Sequence, residues 1–355
     1  MKKILFIHHG IDIGGASKSL AQLVNNLNAE NICVLFLFKS EATKLFDVNI
    51  EKYYVNLPLK YFNHHTGRWY KILELHKIFI QIISWLITII IIAPYWLIKL
   101  NPKLVYLNSS VLTDWLISAK ILKIKTITHV RESLSDGYYG VRKKFISKII
   151  DTCSNKIVYL SKENYNKVKS DKRKSYLIPN YILKPYVDHM VTKKKYDFVY
   201  IGGQSEIKGF NLITNLLERD SLSKYLLLGY YSNKINEKYK ENKNVEIVGI
   251  VENALIYISR ASYLLFPATV PHFPRPVIES YACGTIPISS DIEGIEEIIT
   301  DGITGYIIKN KNFTFGTIKK IIGNTNYKNM IFSGYKKYKN NYSYKNHEKI
   351  CNLLT

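Results

Sequence analysis

The chain has 355 residues, 47% of them hydrophobic and 22% charged, which allows two domains with separate cores and excludes a largely disordered protein. Its formal net charge of +22 comes from 43 lysines and only 7 arginines against 28 acidic residues. Arginine is scarce and no helix-turn-helix, zinc-finger or RNP-like pattern occurs, so no nucleic-acid partner is expected; the lysine excess fits either an anionic surface or a general bias toward Lys, Asn, Ile and Tyr.

The opening MKKILFIHHG holds four apolar residues in a row, too few for a signal-peptide core, and reads as a buried strand of a cytoplasmic chain. Cys33, Cys153, Cys283 and Cys351 lie far apart with no Cys-x-x-Cys, which predicts reduced thiols. Short apolar strands alternate with helical stretches, the pattern of parallel sheets covered on both faces. Strands are expected at Lys3–His9, Ile32–Phe38, Tyr53–Leu57, Lys103–Leu107, Lys125–Val130 and Lys156–Leu160. A second set follows at Asp197–Ile201, Lys224–Leu228, Val245–Val248, Tyr263–Phe266 and Ile286–Ser289. Between the sets, residues 180–196 carry Pro185, a Lys triplet and no periodicity, which divides the chain into a domain over 1–179, a linker, and a domain over 197–334.

After the first strand, Asp12-Ile13-Gly14-Gly15-Ala16-Ser17-Lys18 opens a helix with Leu20, Leu23, Val24 and Leu27 on one face. Gly14 and Gly15 either make a plain tight turn or let the backbone approach a diphosphate at the helix N-terminus; the spacing is not that of a dinucleotide site. Residues 78–98 carry no charge across 21 positions, enough to span a bilayer. They lie between two strands of one domain, however, so a spanning helix would separate those strands. Either the helix is buried, or it exposes an apolar face in the membrane interface, anchored by Trp85, Tyr95, Trp96 and by Lys71, Lys77 and Lys99; the second is the expectation. The fifth strand ends in Thr128-His129-Val130-Arg131-Glu132-Ser133, a polar cluster where open α/β sheets bind ligands.

In the second half, Tyr200-Ile201-Gly202-Gly203-Gln204-Ser205-Glu206-Ile207-Lys208-Gly209 follows a strand and opens a helix. The stretch from Phe266 to Ile308 then runs strand, Pro-rich loop, helix with Glu279, Cys-Gly turn, strand and Gly-punctuated loop. Glu279 sits among Val277, Ile278, Tyr281 and Ala282, and a carboxylate in such a setting needs a partner. Arg275 precedes it and either meets phosphate or sugar or is exposed. No Asp-x-Asp occurs, so no metal is expected, and no Ser-His-Asp or Cys-His motif suggests a hydrolase.

Glu279, Ala282, Cys283, Gly284, Gly294, Glu297 and the run Asp301, Gly302, Thr304, Gly305 resemble the donor-site signature of the retaining nucleotide-sugar glycosyltransferases of family 4. Three positions depart from it: Pro271, beside His272, replaces the first Glu, Pro274 a loop Gly, and Gly203 the usual Arg. The resemblance implies an α/β protein of the GT-B fold, two Rossmann-like domains facing across a cleft, with a C-terminal helix over about 335–355 packing back on the first. It implies sugar transfer from a nucleotide diphosphate sugar, without other cofactor, to a hydroxyl of a lipid-linked saccharide in bacterial surface-polysaccharide assembly. It assigns His129 and Lys208 to catalysis, with Lys208 opposing the charge of the departing diphosphate. Gly14, Gly15, Gly202, Gly203, Lys208, Arg275 and Glu279 become the donor site, with Glu279 on the ribose hydroxyls, while Arg131 and Glu132 line the acceptor side. The setting would be the inner face of the cell membrane, with the protein held peripherally on its anionic surface. The departures at Pro271 and Gly203 also fit a related binding protein that has lost turnover.

Overall fold

In a computed structural model, which describes residues 3–11, 13–27, 31–55, 74–137, 139–186, 194–271 and 273–355, the apolar runs pair side by side, always in parallel. Asp12, Lys71, His272, the end of the strand expected at Tyr53–Leu57 and residues 187–193 lie outside the described residues. The chain divides into two compact units, Met1–Pro179 with His347–Thr355, and Asn180–Asn346.

The first unit is built on strands β1 (Ile4–His8), β2 (Ile32–Phe36), β3 (Glu51–Tyr54), β4 (Leu104–Leu107), β5 (Lys125–Val130), β6 (Lys156–Tyr159) and β7 (Ser175–Leu177), in the order β3-β2-β1-β4-β5-β6-β7. Its helices are α1 (Gly15–Val24), α2 (Leu75–Ile87), α3 (Ala93–Leu100), α4 (Thr113–Ile121), α5 (Val141–Cys153) and α6 (Lys162–Val168). The second unit has β8 (Tyr196–Ile201), β9 (Tyr225–Leu228), β10 (Val245–Gly249), β11 (Ala261–Phe266), β12 (Ile286–Ser290) and β13 (Tyr306–Ile308), ordered β10-β9-β8-β11-β12-β13. Around it lie α7 (Phe210–Arg219), α8 (Asn233–Tyr239), α9 (Leu255–Ile258), α10 (Arg275–Ala282), α11 (Phe315–Gly323) and α12 (Tyr327–Asn341), while α13 (Lys345–Leu354) carries the chain back to the first unit.

Strand order reverses between β1 and β4 in one sheet and between β8 and β11 in the other. Such switch points leave a crevice at the carboxyl ends of the strands, where ligands of open α/β sheets bind. The central strands are apolar on both sides because both faces are covered. In the first sheet Leu5, Ile7, Val105 and Leu107 pack toward Trp115, Ile146 and Ile150, and the opposite face pairs Phe6 with Tyr106 at 5.1 Å between ring centroids.

Three expectations need correction. Residues 180–186 are not a loose linker: Tyr181 and Ile182 are buried, Ile182 donates its N–H to Tyr342 O at 2.9 Å, and Tyr338 Oη–H donates to Ile182 O at 3.1 Å. The tail returns to the first unit only from His347, where His347 Nε2 meets Asn26 O at 3.2 Å and Lys156 Nζ donates to Leu353 O at 2.8 Å. Residues 335–341 instead belong to α12, whose Tyr338 helps close the core of the second unit. Two three-residue strands, β7 and β13, were not anticipated, being too short to show a period.

The apolar run around 78–98 lies within one continuous helix, His76–Leu100, with a π turn at Thr88–Ile92 ahead of Pro94. Its buried face carries Gln81, Ser84 and Thr88, then Ile92, Ala93 and Leu97. The outward face is apolar: Phe79, Ile80, Ile83, Leu86, Ile90, Ile91, Tyr95 and Ile98 are exposed, Ile90 by 69%. This inverts an ordinary amphipathic helix, since its polar side chains point inward. The tryptophans are not the exposed anchors expected from sequence. Trp85 donates Nε1–H to Thr113 Oγ1 at 3.0 Å, and Trp96 packs on Tyr53 with ring centroids 5.9 Å apart.

Candidate active site

At the switch point of the second sheet, the loop after β8 and the loop after β11 are tied together by backbone. Thr269 N–H donates to Ile207 O at 3.0 Å, and Gly209, at φ +79°, lies so close to Pro267 that a β-carbon would strike its carbonyl. Gly203 N–H donates to Leu228 O at 3.1 Å, and Gln204 N–H to Tyr230 O at 2.8 Å. Here the glycines are demanded by the fold: a side chain at Gly202 would run into the Tyr200 ring, and Gly203 holds φ +59° with its α-carbon against Tyr230. The position usually filled by arginine therefore cannot take one without rebuilding this loop.

Lys208 closes the short turn Glu206–Lys208. Its side chain reaches solvent, yet the protein crowded around the ammonium desolvates it and holds its pKa below the usual lysine range. Among the described residues it has no carboxylate partner. A cation of this kind, fixed at a strand's carboxyl end, can stabilise a developing diphosphate.

Glu279, 8% exposed, projects from α10 and accepts Arg275 Nε–H at 2.8 Å. The partner that the sequence reading sought only in a ligand is thus in part a protein group, four residues earlier on the same helix. Arg275 in turn is neither exposed nor free: its side chain is 13% exposed and paired. One helix so presents a carboxylate beside a guanidinium, able to accept from hydroxyls and to donate to phosphate. The Asp301–Gly305 run is a brace: Asp301 Oδ1 accepts Ile307 N–H at 2.9 Å, and Thr304 Oγ1 accepts Thr300 N–H at 2.9 Å and meets Tyr281 Oη at 3.0 Å, linking the loop to α10.

At the switch point of the first sheet, residues from three adjacent strand ends form one chain of hydrogen bonds. Arg131 Nε–H, just past β5, donates to Asn108 Oδ1 at 2.7 Å. Since Arg can only donate, the Asn108 amide nitrogen must face His8 Nδ1, 3.2 Å away at the end of β1. Nδ1 therefore accepts, and Nε2–H donates to Ser17 Oγ at 2.9 Å in the first turn of α1. His8 is neutral: burial, with His9 and Arg131 nearby, holds its pKa down to about 3. Glu132 accepts from Ser109 Oγ at 2.6 Å, Ser110 Oγ at 2.8 Å and Ser110 N at 3.1 Å. The sequence pointed to Arg131 and Glu132 but not to His8, Ser17, Asn108, Ser109 and Ser110, which end a strand, follow one or open a helix.

His129 is corrected. It lies inside β5, two residues before Arg131, 1% exposed, with Nδ1 2.5 Å from Tyr106 Oη, and burial holds its pKa well below the ordinary value. Although it shares a face with Arg131 in strand alternation, His129 lies within β5 under cover, whereas Arg131 has passed the strand's end and is the ionisable group at the edge. Gly14 and Gly15 stand exposed at the start of α1, with open space where a side chain would project, unlike their counterparts in the second unit. The four cysteines are free thiols, and burial raises Cys33 to about 12.

Residues 188–331 match the family model described as glycosyl transferases group 1. The matched segment contains Lys208, Arg275 and Glu279. CapH of Staphylococcus aureus, a capsular polysaccharide biosynthesis glycosyltransferase, is 26% identical over 192 residues, 48% of this chain and 54% of CapH, so the match spans about half of that relative. Among solved structures, HepE of Anabaena in complex with UDP-glucose superposes with a TM-score of 0.75 at 13% identity, covering 100% of this chain and 99% of HepE. Sucrose-phosphate synthase of Thermosynechococcus elongatus gives 0.73 at 14% identity, covering 99% and 98%. The fold is GT-B, with two parallel-sheet α/β domains.

Proposed function

We propose that this protein is a glycosyltransferase that moves a sugar from a nucleotide diphosphate sugar to a hydroxyl of a lipid-linked saccharide, with retention, without a metal, at the cytoplasmic face of a membrane during surface-polysaccharide assembly. The observation that carries the reading is the second unit's switch point: an unpaired, partly desolvated Lys208 and the Arg275–Glu279 pair within the group 1 segment. Lys208 and Arg275 would oppose charge on the diphosphate as the sugar acquires oxocarbenium character, and Glu279 would accept from ribose hydroxyls. The first unit would present the acceptor beside Arg131. UDP-glucose bound by HepE and the capsular role of CapH support the donor and pathway class. The exposed face of the His76–Leu100 helix supports a membrane setting.

The test is a panel of nucleotide sugars screened for thermal stabilisation, followed by transfer to a lipid-linked acceptor with chelator present and anomeric assignment of the product. A ligand at 100 times its Kd adds ~2.7 kcal/mol of stability. Stabilisation by none of the panel would end the donor reading. A second reading, a binding protein without turnover, is favoured by Gly203, whose φ of +59° denies the diphosphate an arginine there. Donor binding with no nucleoside diphosphate release on addition of acceptor would select it.

A further inference from the structure

We propose that a lysine-lined cavity at the opposite edge of the first sheet from Arg131 binds the phosphate of an anionic membrane lipid. The cavity holds about 460 Å³ and is lined by Lys103, Lys123, Lys125 and Lys156 over a floor that includes Leu104 and Leu354. None of the lining residues is Asp or Glu, while Thr355, the last residue of the sequence, brings its α-carboxylate to the cavity wall. Among the described residues Lys103, Lys123 and Lys125 carry no ion pair, whereas Lys156 donates to Leu353 O at 2.8 Å. Lysines at strand starts and helix ends commonly just face water. What distinguishes these is that they converge on one concave space with an apolar floor, and that space lies where the inverted helix ends.

Topology makes the connection. The helix closes at Leu100 and the chain enters β4 at Leu104, so its C-terminal end lies at the amino edge of the sheet, beside Lys103. Trp85 bonds Thr113, which opens α4 after the carboxyl end of β4, so the helix is level with the opposite edge by that residue. A helix of 25 residues is ~37 Å long, against ~20 Å for the six residues of β5. Its apolar face therefore runs the full depth of the sheet as far as Ile98, 66% exposed, and the chain that follows the helix, Asn101 and Pro102, lines the cavity. A protein resting on that face brings the cavity to headgroup depth at one end and the edge holding Arg131 toward the membrane at the other. The cavity would take a lipid phosphate, with the lysines as point charges and the apolar floor against the glycerol or upper chain.

This inference rests on the membrane reading, and the test separates the two. Flotation with vesicles of neutral phosphatidylcholine, alone or with 30% phosphatidylglycerol, compares the parent with a Lys103→Gln, Lys123→Gln, Lys125→Gln triple variant. A charge-matched control carries Lys234→Gln, Lys243→Gln and Lys320→Gln, exposed positions of the second unit. Three lysines near an anionic surface are worth roughly 100-fold in partitioning. The first variant should lose most of the gain given by phosphatidylglycerol while keeping the parent's binding to neutral vesicles, and the control should keep both. Equal losses in both variants would overturn the cavity and leave the helix reading standing. No binding of the parent to either vesicle would overturn both. Glycerol 3-phosphate titrated without vesicles distinguishes the source: saturable binding below 100 µM that is lost in the first variant would assign the cavity to a soluble phosphate instead of a lipid.

Discussion

Replacing Glu279 by Gln separates a ligand contact from a helix brace, because the structure gives the carboxylate one protein partner of known geometry. Arg275 Nε–H lies 2.8 Å from Oε1, and the two side chains are only 13% and 10% exposed. An exposed i,i+4 pair contributes ~0.3–0.5 kcal/mol, but a poorly solvated one contributes more, and Gln keeps the acceptor while losing the charge. Passing from a charged to a neutral hydrogen bond removes about 1 kcal/mol, so unfolding stability should fall by ~1–2 kcal/mol. If the carboxylate also accepts two ribose hydroxyls, the same arithmetic applied twice weakens nucleoside diphosphate binding by ~2 kcal/mol, or roughly 30-fold. Denaturant unfolding gives the first number and calorimetric titration the second. Arg275→Gln and the double variant complete a cycle in which the stability terms couple. A stability loss of the expected size with unchanged nucleoside diphosphate affinity would refute the ligand role and leave Glu279 as a brace for Arg275.

Lys208→Ala should lower kcat by ~10²–10³ with a smaller change in KM, since its charge matters most as the diphosphate departs; equal losses for nucleoside and nucleoside diphosphate binding would contradict this. His8 is neutral when folded, with a pKa near 3 against an ordinary 6.5, so its contribution is complete above pH 6.5 and is lost as pH falls toward 3. His8→Gln should therefore flatten the acid side of the stability curve by ~1.4 kcal/mol per pH unit between pH 6 and 4, read by urea midpoints; an unchanged slope would mean the ring is not held neutral. Ile90→Ser with Ile91→Ser, at the most exposed part of the inverted helix, should reduce binding to neutral vesicles at least 10-fold without lowering Tm, whereas a fall in Tm would show these side chains to be buried.

The strands were legible because parallel sheets covered on both faces write themselves as continuous apolar runs. β7 and β13 escaped because three residues cannot display a period. The group 1 segment was legible for a different reason: Gly202 to Gly209 and Pro267 to Glu279 each form a contiguous stretch around one switch point. The first unit's polar chain was not, because His8 is a hundred residues from Asn108, and Asn108 is 23 from Arg131, and the three meet only through the strand order β1-β4-β5. His129 shows the cost of judging by proximity along the sequence: two residues from Arg131, it faces the same way in alternation but lies within the strand, under cover, while Arg131 has passed the strand's end. The helix at 76–100 was ambiguous in principle, since hydropathy describes a buried helix and a membrane-facing one equally well. Only the burial of Gln81, Ser84 and Thr88 decides which side is left outside.

The two switch points also differ in a way that bears on their proposed roles. In the second unit every glycine of the loop after β8 is pressed against something: Gly202 on Tyr200, Gly203 on Tyr230, Gly209 on Pro267. Such a loop has one shape, and a ligand meets groups already in place, which suits a diphosphate whose charge must be opposed without reorganisation. In the first unit Gly14 and Gly15 touch nothing in this sense, and α1 begins without a side-chain cap. Order there comes from beneath, through His8 to Ser17 and through Asn108 to Arg131, so the helix end is held while the space above it stays open. On the proposed reading, a constant nucleotide diphosphate meets the closed loop, and the open loop at Gly14 and Gly15, which the family resemblance assigns to the donor, is given instead to a bulkier saccharide. Gly14→Ala should then leave stability within ~0.5 kcal/mol, because no contact and no positive φ opposes the methyl group, while raising the acceptor's KM; Gly203→Ala, at φ +59°, should lose ~1–2 kcal/mol of stability by unfolding measurements whatever the substrate. The reverse order of stability losses would refute the contrast between the two loops.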